Sequence, residues 1–228
     1  MHTNAVDGEL GNNHFNSIAD VERALKKLDQ TLVSTELEQL HNFTEVYRII
    51  THNVRRNMAA GAFEHPEFLQ KFDVRFAWYY FEALRRYVHD EETVFAWRIA
   101  FDAARSGRTS PLSIMALGVN AHINNDIPQV LYDCGAKDKH RKDYRRINAI
   151  IHASIDEAIA ALHGTDKLLN PKQRPLRLPA KLTMSALAKL WRFSAWKNFR
   201  ALQTGSLTRE QLHIYSQKRA KVLMRMPM

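Results

Sequence analysis

The sequence predicts an all-α protein, a single-domain antiparallel bundle of about seven or eight helices. The chain has 228 residues, of which 45% are hydrophobic and 25% charged, values typical of one globular domain. Glycine (8) and proline (7) are too scarce for the many tight turns of an all-β protein. Large apolar residues recur every three or four positions, and no segment shows the alternating polarity of a strand.

Start and stop signals divide residues 17–163, the predicted helical core, into six helices. Residues 1–16 are polar and are predicted to be a disordered lead. Ser17 is the predicted N-cap of the first helix, Pro66 and Pro111 suit the first turn of later helices, and Gly61 suits a helix end. The predicted spans are about 17–30, 35–60, 66–88, 93–106, 111–126 and 139–163, with a halt or kink near Pro128.

The last quarter of the chain carries its positive charge. Residues 164–182 form a predicted Pro-rich basic linker, and two further helices, about 183–203 and 208–225, are predicted to pack on the core as a basic pair (183–228). Residues 167–228 contain 14 Lys and Arg and one acid, whereas the whole chain has a net charge of +9. We expect this quarter to bind an anionic membrane surface or an acidic partner, or to present a solvated basic face.

Several classes of protein are not expected from this sequence. The single cysteine, Cys134, cannot form an internal disulfide or a cysteine-based zinc site. No apolar leader and no apolar run of about 18 residues is present, so a cytoplasmic location is predicted. No motif indicates sequence-specific DNA binding.

A polar cluster lies in the otherwise apolar fifth helix. His122 and Asp126 are four residues apart and therefore share a helix face. Imidazole nitrogen and carboxylate oxygen suit zinc, manganese or iron, so the pair is a candidate metal site. Asn120 and Asn125 are predicted to support the metal ligands or to contact a substrate. His52 flanks the apolar stripe of the second helix and is a further candidate to reach this site.

Two other helices offer matching groups. His152 and Asp156 repeat the four-residue spacing on the sixth helix, and Asp73 interrupts an aromatic face of the third. The five residues together are the predicted metal ligands, with His122, Asp126 and Asp73 also catalytic. Two Glu-x-x-His pairs, Glu38/His41 and Glu210/His213, are interpreted as exposed.

Three functions are open at this point. The first is a metal-dependent hydrolase in which a metal-bound water attacks an anionic or phosphate-bearing small molecule. The second is a non-enzymatic binding or scaffold protein, in which the His and Asp residues form a structural polar core. The third is a metal-free enzyme with an aromatic-lined pocket for a small molecule beside Asp73 and His122.

Two resemblances accompany these patterns. Leu117-Gly118 followed by Ala121-His122-x-x-x-Asp126-x-Pro128 resembles the ligand helix of helical zinc phospholipases C and single-strand-specific nucleases. That resemblance implies zinc ligation by the five residues named above, with one or two metals, because Gln129 follows the proline where a further histidine is common.

A broader resemblance covers about residues 40–205. It is to a bacterial all-helical family catalogued only as a domain of unknown function, and it implies a shared fold and no particular activity. The residues that carry it are Phe72-Asp73-x-x-Phe76-Ala77, Trp97-x-x-Ala100-Phe101, Gly118-x-Asn120-Ala121-His122-Ile123-x-x-Asp126-x-Pro128 and Ala195-Trp196.

Overall fold

The computed structural model describes residues 14–161 and 174–225, and the regular structure of these residues is entirely helical. The predicted fold class is thereby confirmed. The helices are α1 (Ile18–Leu32), α2 (His41–Ala59), α3 (Pro66–Val88), α4 (Phe95–Ser106), α5 (Pro111–Asn120), α6 (Ile127–Asp133), α7 (Arg141–Ala161), α8 (Arg174–Gln203) and α9 (Arg209–Leu223), with single 3₁₀ turns before α2 and α7.

The helix ends follow the local signals in the sequence. The Ser17 side chain accepts a hydrogen bond from the Asp20 amide and caps α1. Pro66 and Pro111 occupy first turns, where the missing N–H loses no helical bond. Gly61 follows α2 with a φ of 70°, a left-handed conformation that glycine adopts without steric cost. These four helix boundaries agree with the sequence prediction.

Two stretches differ from the prediction. The break expected near Pro128 is instead a change of helix type: residues Ala121–Asp126 form a π-helical segment between α5 and α6. Pro128 falls in the first turn of α6, so the chain continues as a helix beyond it. Helix α8 begins at Arg174, before the expected start at Thr183 and within the predicted linker. Residues 1–13 of the predicted lead, and residues 162–173, lie outside the described part.

The π-helical segment is the centre of the bundle. It contacts α5 and α6, which flank it in the chain, and also α3, α4, α8 and α9. Helices α1 and α7 pack on α2, and their contact with the π-helical segment is weaker than that of the six helices named above. The six residues of the segment are all buried. Polar side chains in this segment therefore meet the interior and not solvent.

Of the two basic C-terminal helices, α8 packs on α6, the π-helical segment and α7, and α9 packs on α4, α5 and the same segment. Their outer faces expose large apolar side chains beside lysines, including Leu190 (61% exposed), Phe193 (55%) and Tyr215 (60%). Binding of these faces to an anionic membrane surface or an acidic partner stays a prediction. Within the described residues, none of the helices has both the length and the apolar character needed to cross a membrane.

Gly118 provides a test of the close packing between α5 and α2. A Cβ atom at this position would lie 2.7 Å from Cδ2 of Phe43, whose ring packs edge-on against Trp97. We expect Gly118→Ala to lower the free energy of unfolding by about 1–3 kcal/mol, measured by urea denaturation, despite the better helix propensity of alanine. Adding Phe43→Leu should recover part of the loss. A Gly118→Ala variant as stable as the wild type would contradict this packing.

Candidate functional site

The candidate site lies where the π-helical segment meets α2 and α3. A π-helix is rare, and single turns of this kind occur often at functional sites because they redirect side chains within a helix. Here the wide turn directs His122 and Asp126 inward, with exposed fractions of 4% and 0%. The segment thus places an imidazole and a carboxylate in the interior of an apolar bundle.

Three donors satisfy the buried Asp126 carboxylate. Its Oδ2 accepts hydrogen bonds from Nε1 of Trp97 and from Nδ1 of His122, both at 3.0 Å. Its Oδ1 accepts from Nδ2 of Asn125 at 2.8 Å. Because a buried polar group needs such partners, these bonds satisfy both oxygens of the carboxylate. They also place the proton of neutral His122 on Nδ1, which leaves a lone pair on Nε2.

Aromatic rings enclose the imidazole of His122. Phe76 stacks on it with ring centroids 3.5 Å apart, and Tyr47 approaches edge-on at 4.6 Å. Phe43 and Trp97 lie at 5.8 and 5.7 Å. This burial lowers the pKa of His122, although the hydrogen bond to Asp126 opposes the effect. The imidazole is therefore neutral at physiological pH.

Nε2 of this imidazole is one of six buried side-chain atoms that have no hydrogen-bond partner among the described residues. Three of the others are the Tyr47 hydroxyl, Oγ1 of Thr51 and Oδ2 of Asp73. Thr51 follows Tyr47 by one turn of α2, and Asp73 precedes Phe76, the residue stacked on His122, by one turn of α3. Buried polar groups in folded proteins are almost always paired, so a cluster of unpaired ones indicates a binding site for water, an ion or a ligand.

Among the described residues, no cation contributes to the pKa of the Asp73 carboxyl. Burial alone raises the pKa of Asp73 to about 7. Burial also raises the pKa of Tyr47 well above its usual value, and the charges of Asp73 and Asp126 add to that effect. The site therefore contains a neutral base, His122, and a carboxyl group that holds its proton near neutral pH.

The structure brings three of the five predicted metal ligands to this region: His122, Asp126 and Asp73. The other two, His152 and Asp156, lie on the exposed side of α7. The buried face of that helix instead contains Ile155, which packs with Met115 of α5, so the polar pair is turned outward. This corrects the expectation that three helices direct their acids and imidazoles to one point.

The remaining predicted site residues serve the framework. His52 binds Glu22 of α1 at 2.8 Å, away from the site. Asn120 donates to the Ser216 carbonyl of α9 at 3.0 Å, and Asn125 supports Asp126 as described. Both asparagines therefore hold the site together and do not line it.

The side chains of the site do not match a metal-ligand set. Within residues 14–161 and 174–225, no group of three or more His, Cys, Asp or Glu side chains could hold a metal ion. Nδ1 of His122 and Oδ2 of Asp126 contact each other at 3.0 Å. Two donors, Nε2 of His122 and Asp73, fall short of the three protein ligands of a typical catalytic zinc site.

Sequence reasoning missed three contributors to the site: Tyr47, Thr51 and Trp97. Only Trp97 entered the sequence analysis, as part of the family motif Trp97-x-x-Ala100-Phe101. Hydroxyl groups four residues apart on one buried helix face were the available signal for the first two. His213, expected to be exposed, is half-buried and contacts Asn125 at 2.7 Å.

The comparisons with known proteins give a family and no activity. No curated protein and no solved structure matches the chain. A match to a family profile covers residues 18–226, nearly the whole described bundle with its site and both C-terminal helices. The resemblance to a helical family without a known activity is confirmed, and the chain belongs to the family of unknown function DUF5995.

Proposed function

We propose that this protein is a metal-free enzyme that performs acid–base chemistry on a small neutral molecule bound at His122. The observation that carries the proposal is the unpaired, buried Nε2 of an imidazole fixed by Asp126, together with the unpaired buried groups of Tyr47, Thr51 and Asp73 on the two helices whose rings enclose it. A structural polar core would pair these atoms with one another. A ligand that bonds to them supplies the missing partners.

The residues take distinct roles in this proposal. His122 is the general base, because its Nε2 lone pair is free and Asp126 stabilises the imidazolium that forms when a proton is taken. Asp73 is the general acid, because its raised pKa of about 7 keeps a proton available near neutral pH. The hydroxyls of Tyr47 and Thr51 orient the substrate by hydrogen bonding. The aromatic rings exclude bulk water from the proton transfer.

The charge of the site selects the substrate class. Within the described part of the chain, no Lys or Arg contributes to the pKa of Asp73, His122 or Tyr47, whereas two carboxyl groups do contribute to that of Tyr47. An anion would meet these carboxyl groups without a compensating cation. The site therefore favours a neutral molecule with hydrogen-bond donors, in place of the anionic substrate expected from the basic C-terminal quarter.

The metal-dependent hydrolase stays a prediction. The described residues provide no group of three or more side chains that could hold its metal. Its one favourable feature is that metal-binding histidines often donate their second N–H to a carboxylate, as His122 does to Asp126. A bound metal would use Nε2 of His122 and an oxygen of Asp73. The ligand experiment below includes this case as a separate outcome.

Asp73→Asn should stabilise the protein at neutral and alkaline pH. Asp73 binds its proton more tightly in the folded chain (pKa about 7) than in the unfolded chain, so the wild type loses stability as pH rises from about 4 to about 7. Asparagine does not titrate. The variant should exceed the wild type by on the order of 1–3 kcal/mol at pH 8 and match it near pH 4, by urea denaturation at each pH. A pH-independent loss of stability would identify Asp73 as a structural residue.

Matched substitutions separate unpaired hydroxyls from paired ones. Tyr47→Phe and Thr51→Val remove hydroxyls without partners, so we expect changes within about 0.5 kcal/mol of zero or a gain in stability. Tyr80→Phe and Thr44→Val are the controls, because these hydroxyls bond to each other at 2.8 Å. Each control should lose about 1 kcal/mol in thermal unfolding. Equal losses in both sets would show that the Tyr47 and Thr51 hydroxyls have structural partners.

Paired small molecules test the substrate class directly. Acetamide and benzamide should shift the imidazole NMR signals of His122 in chelator-treated protein, whereas acetate and benzoate should not. His122→Gln should lose the thermal stabilisation that the amides give. Binding of the carboxylates in preference to the amides would contradict the proposal. A shift that requires added zinc or manganese would instead favour the metal site.

A further inference from the structure

We infer that His213 of α9, acting through Asn125, is a positioning residue for the His122–Asp126 pair, an inference that rests on the proposed function. Three hydrogen bonds connect them in series. His213 Nδ1 lies 2.7 Å from Oδ1 of Asn125, Nδ2 of Asn125 donates to Oδ1 of Asp126 at 2.8 Å, and Oδ2 of Asp126 accepts from Nδ1 of His122 at 3.0 Å. The C-terminal helix is thereby connected to Nδ1 of the imidazole whose Nε2 is the proposed base.

The direction of each bond follows from the carboxylate. Asp126 accepts only, so the group of Asn125 that faces it is the NH₂. The amide oxygen of Asn125 then faces α9 and requires a donor. Nδ1 of His213 must therefore carry a proton and donate it to Asn125. Ser216 adds a longer contact of 3.4 Å from its hydroxyl to the same oxygen.

Asn125 has a role in this arrangement that no other donor to Asp126 shares. Trp97 and His122 both donate to Oδ2 of the carboxylate, and neither holds Oδ1. These two bonds therefore do not restrain Oδ1 when the carboxylate rotates about its Cβ–Cγ bond. Among the described residues, Nδ2 of Asn125 is the group that donates to Oδ1. It fixes the plane of the carboxylate, and that plane determines whether Oδ2 aligns with Nδ1 of His122. His213 in turn fixes the amide of Asn125.

Helix α9 is thus part of the site without contributing a group to its interior. Two contacts outside this series of hydrogen bonds help to dock α9. Asn120 donates to the Ser216 carbonyl at 3.0 Å, and Arg219 donates to Oδ1 of Asn124 at 2.7 Å. These contacts hold α9 but do not touch Asn125. They provide a control that separates docking of the helix from positioning of the carboxylate.

The test is nitrogen-15 NMR of the His122 imidazole in the full-length protein, which reports the ratio of the Nδ1–H to the Nε2–H tautomer. In the wild type we expect Nδ1–H to dominate. His213→Leu removes the donor to Asn125 and should lower this ratio roughly tenfold, the effect of one weakened hydrogen bond to a charged group. His213→Asn should restore the ratio, because its amide N–H can replace the donor at Nδ1. His213→Ala replaces His213→Leu if leucine prevents folding.

Arg219→Gln is the matched control, since it weakens the docking of α9 without touching Asn125, and it should keep the wild-type ratio. Each other result has a separate meaning. A wild-type imidazole protonated at Nε2 would overturn the proposed function itself. A wild-type ratio in both His213→Leu and His213→Ala would overturn only the positioning role. An equal drop in Arg219→Gln would assign the effect to docking of the helix and also overturn that role.

Discussion

The carboxylate of Asp126 is the group on which the rest of this structure depends. An ionised carboxyl group inside an apolar bundle is costly unless several donors surround it. Its donors come from α4 through Trp97 and from the π-helical segment through His122 and Asn125. Satisfying this charge therefore requires α4 and the segment to meet, and α9 completes the network through Asn125. The polar centre and the helix packing are one arrangement.

The same carboxylate determines what the imidazole can do. By holding the proton of His122 on Nδ1, it leaves Nε2 unpaired among aromatic rings. The Tyr47 hydroxyl, Oγ1 of Thr51 and Oδ2 of Asp73 are also buried without a partner among the described residues. Four unsatisfied buried polar atoms lower the stability of the free protein. Such a cost is characteristic of binding and catalytic sites, where groups are arranged for a ligand and not for the fold. The basic surface of the C-terminal helices lies outside this site, so the net charge of the chain does not indicate the charge of its substrate.

Much of the fold follows from the sequence, because caps and apolar periodicity are local properties. Ser17, Pro66 and Pro111 mark helix starts that the structure confirms. The π-helical segment could not be predicted, since its backbone bonding depends on how six surrounding helices pack. The early start of α8 was obscured because Pro175 suggested a linker, although proline is compatible with a first helical turn.

The candidate site was predictable only in part. The sequence identified His122, Asp126 and Asp73 because ionisable side chains on the apolar face of a helix are rare unless they have partners. His152 and Asp156 were placed on the wrong side of α7, because neighbouring positions on a helix differ in direction by about 100° and the inward face cannot be assigned that finely from one sequence. The hydrogen bond from Trp97 to Asp126, and the role of α9, depend on tertiary contacts that no local pattern encodes.

The most direct test of the account is an experimental crystal structure that resolves ordered water and bound small molecules around His122. We predict non-protein density within hydrogen-bond distance of Nε2 of His122 and of at least one of Tyr47, Thr51 and Asp73. A direct hydrogen bond from another side chain to Nε2, with the remaining groups paired among themselves, would contradict the account and establish a structural polar core.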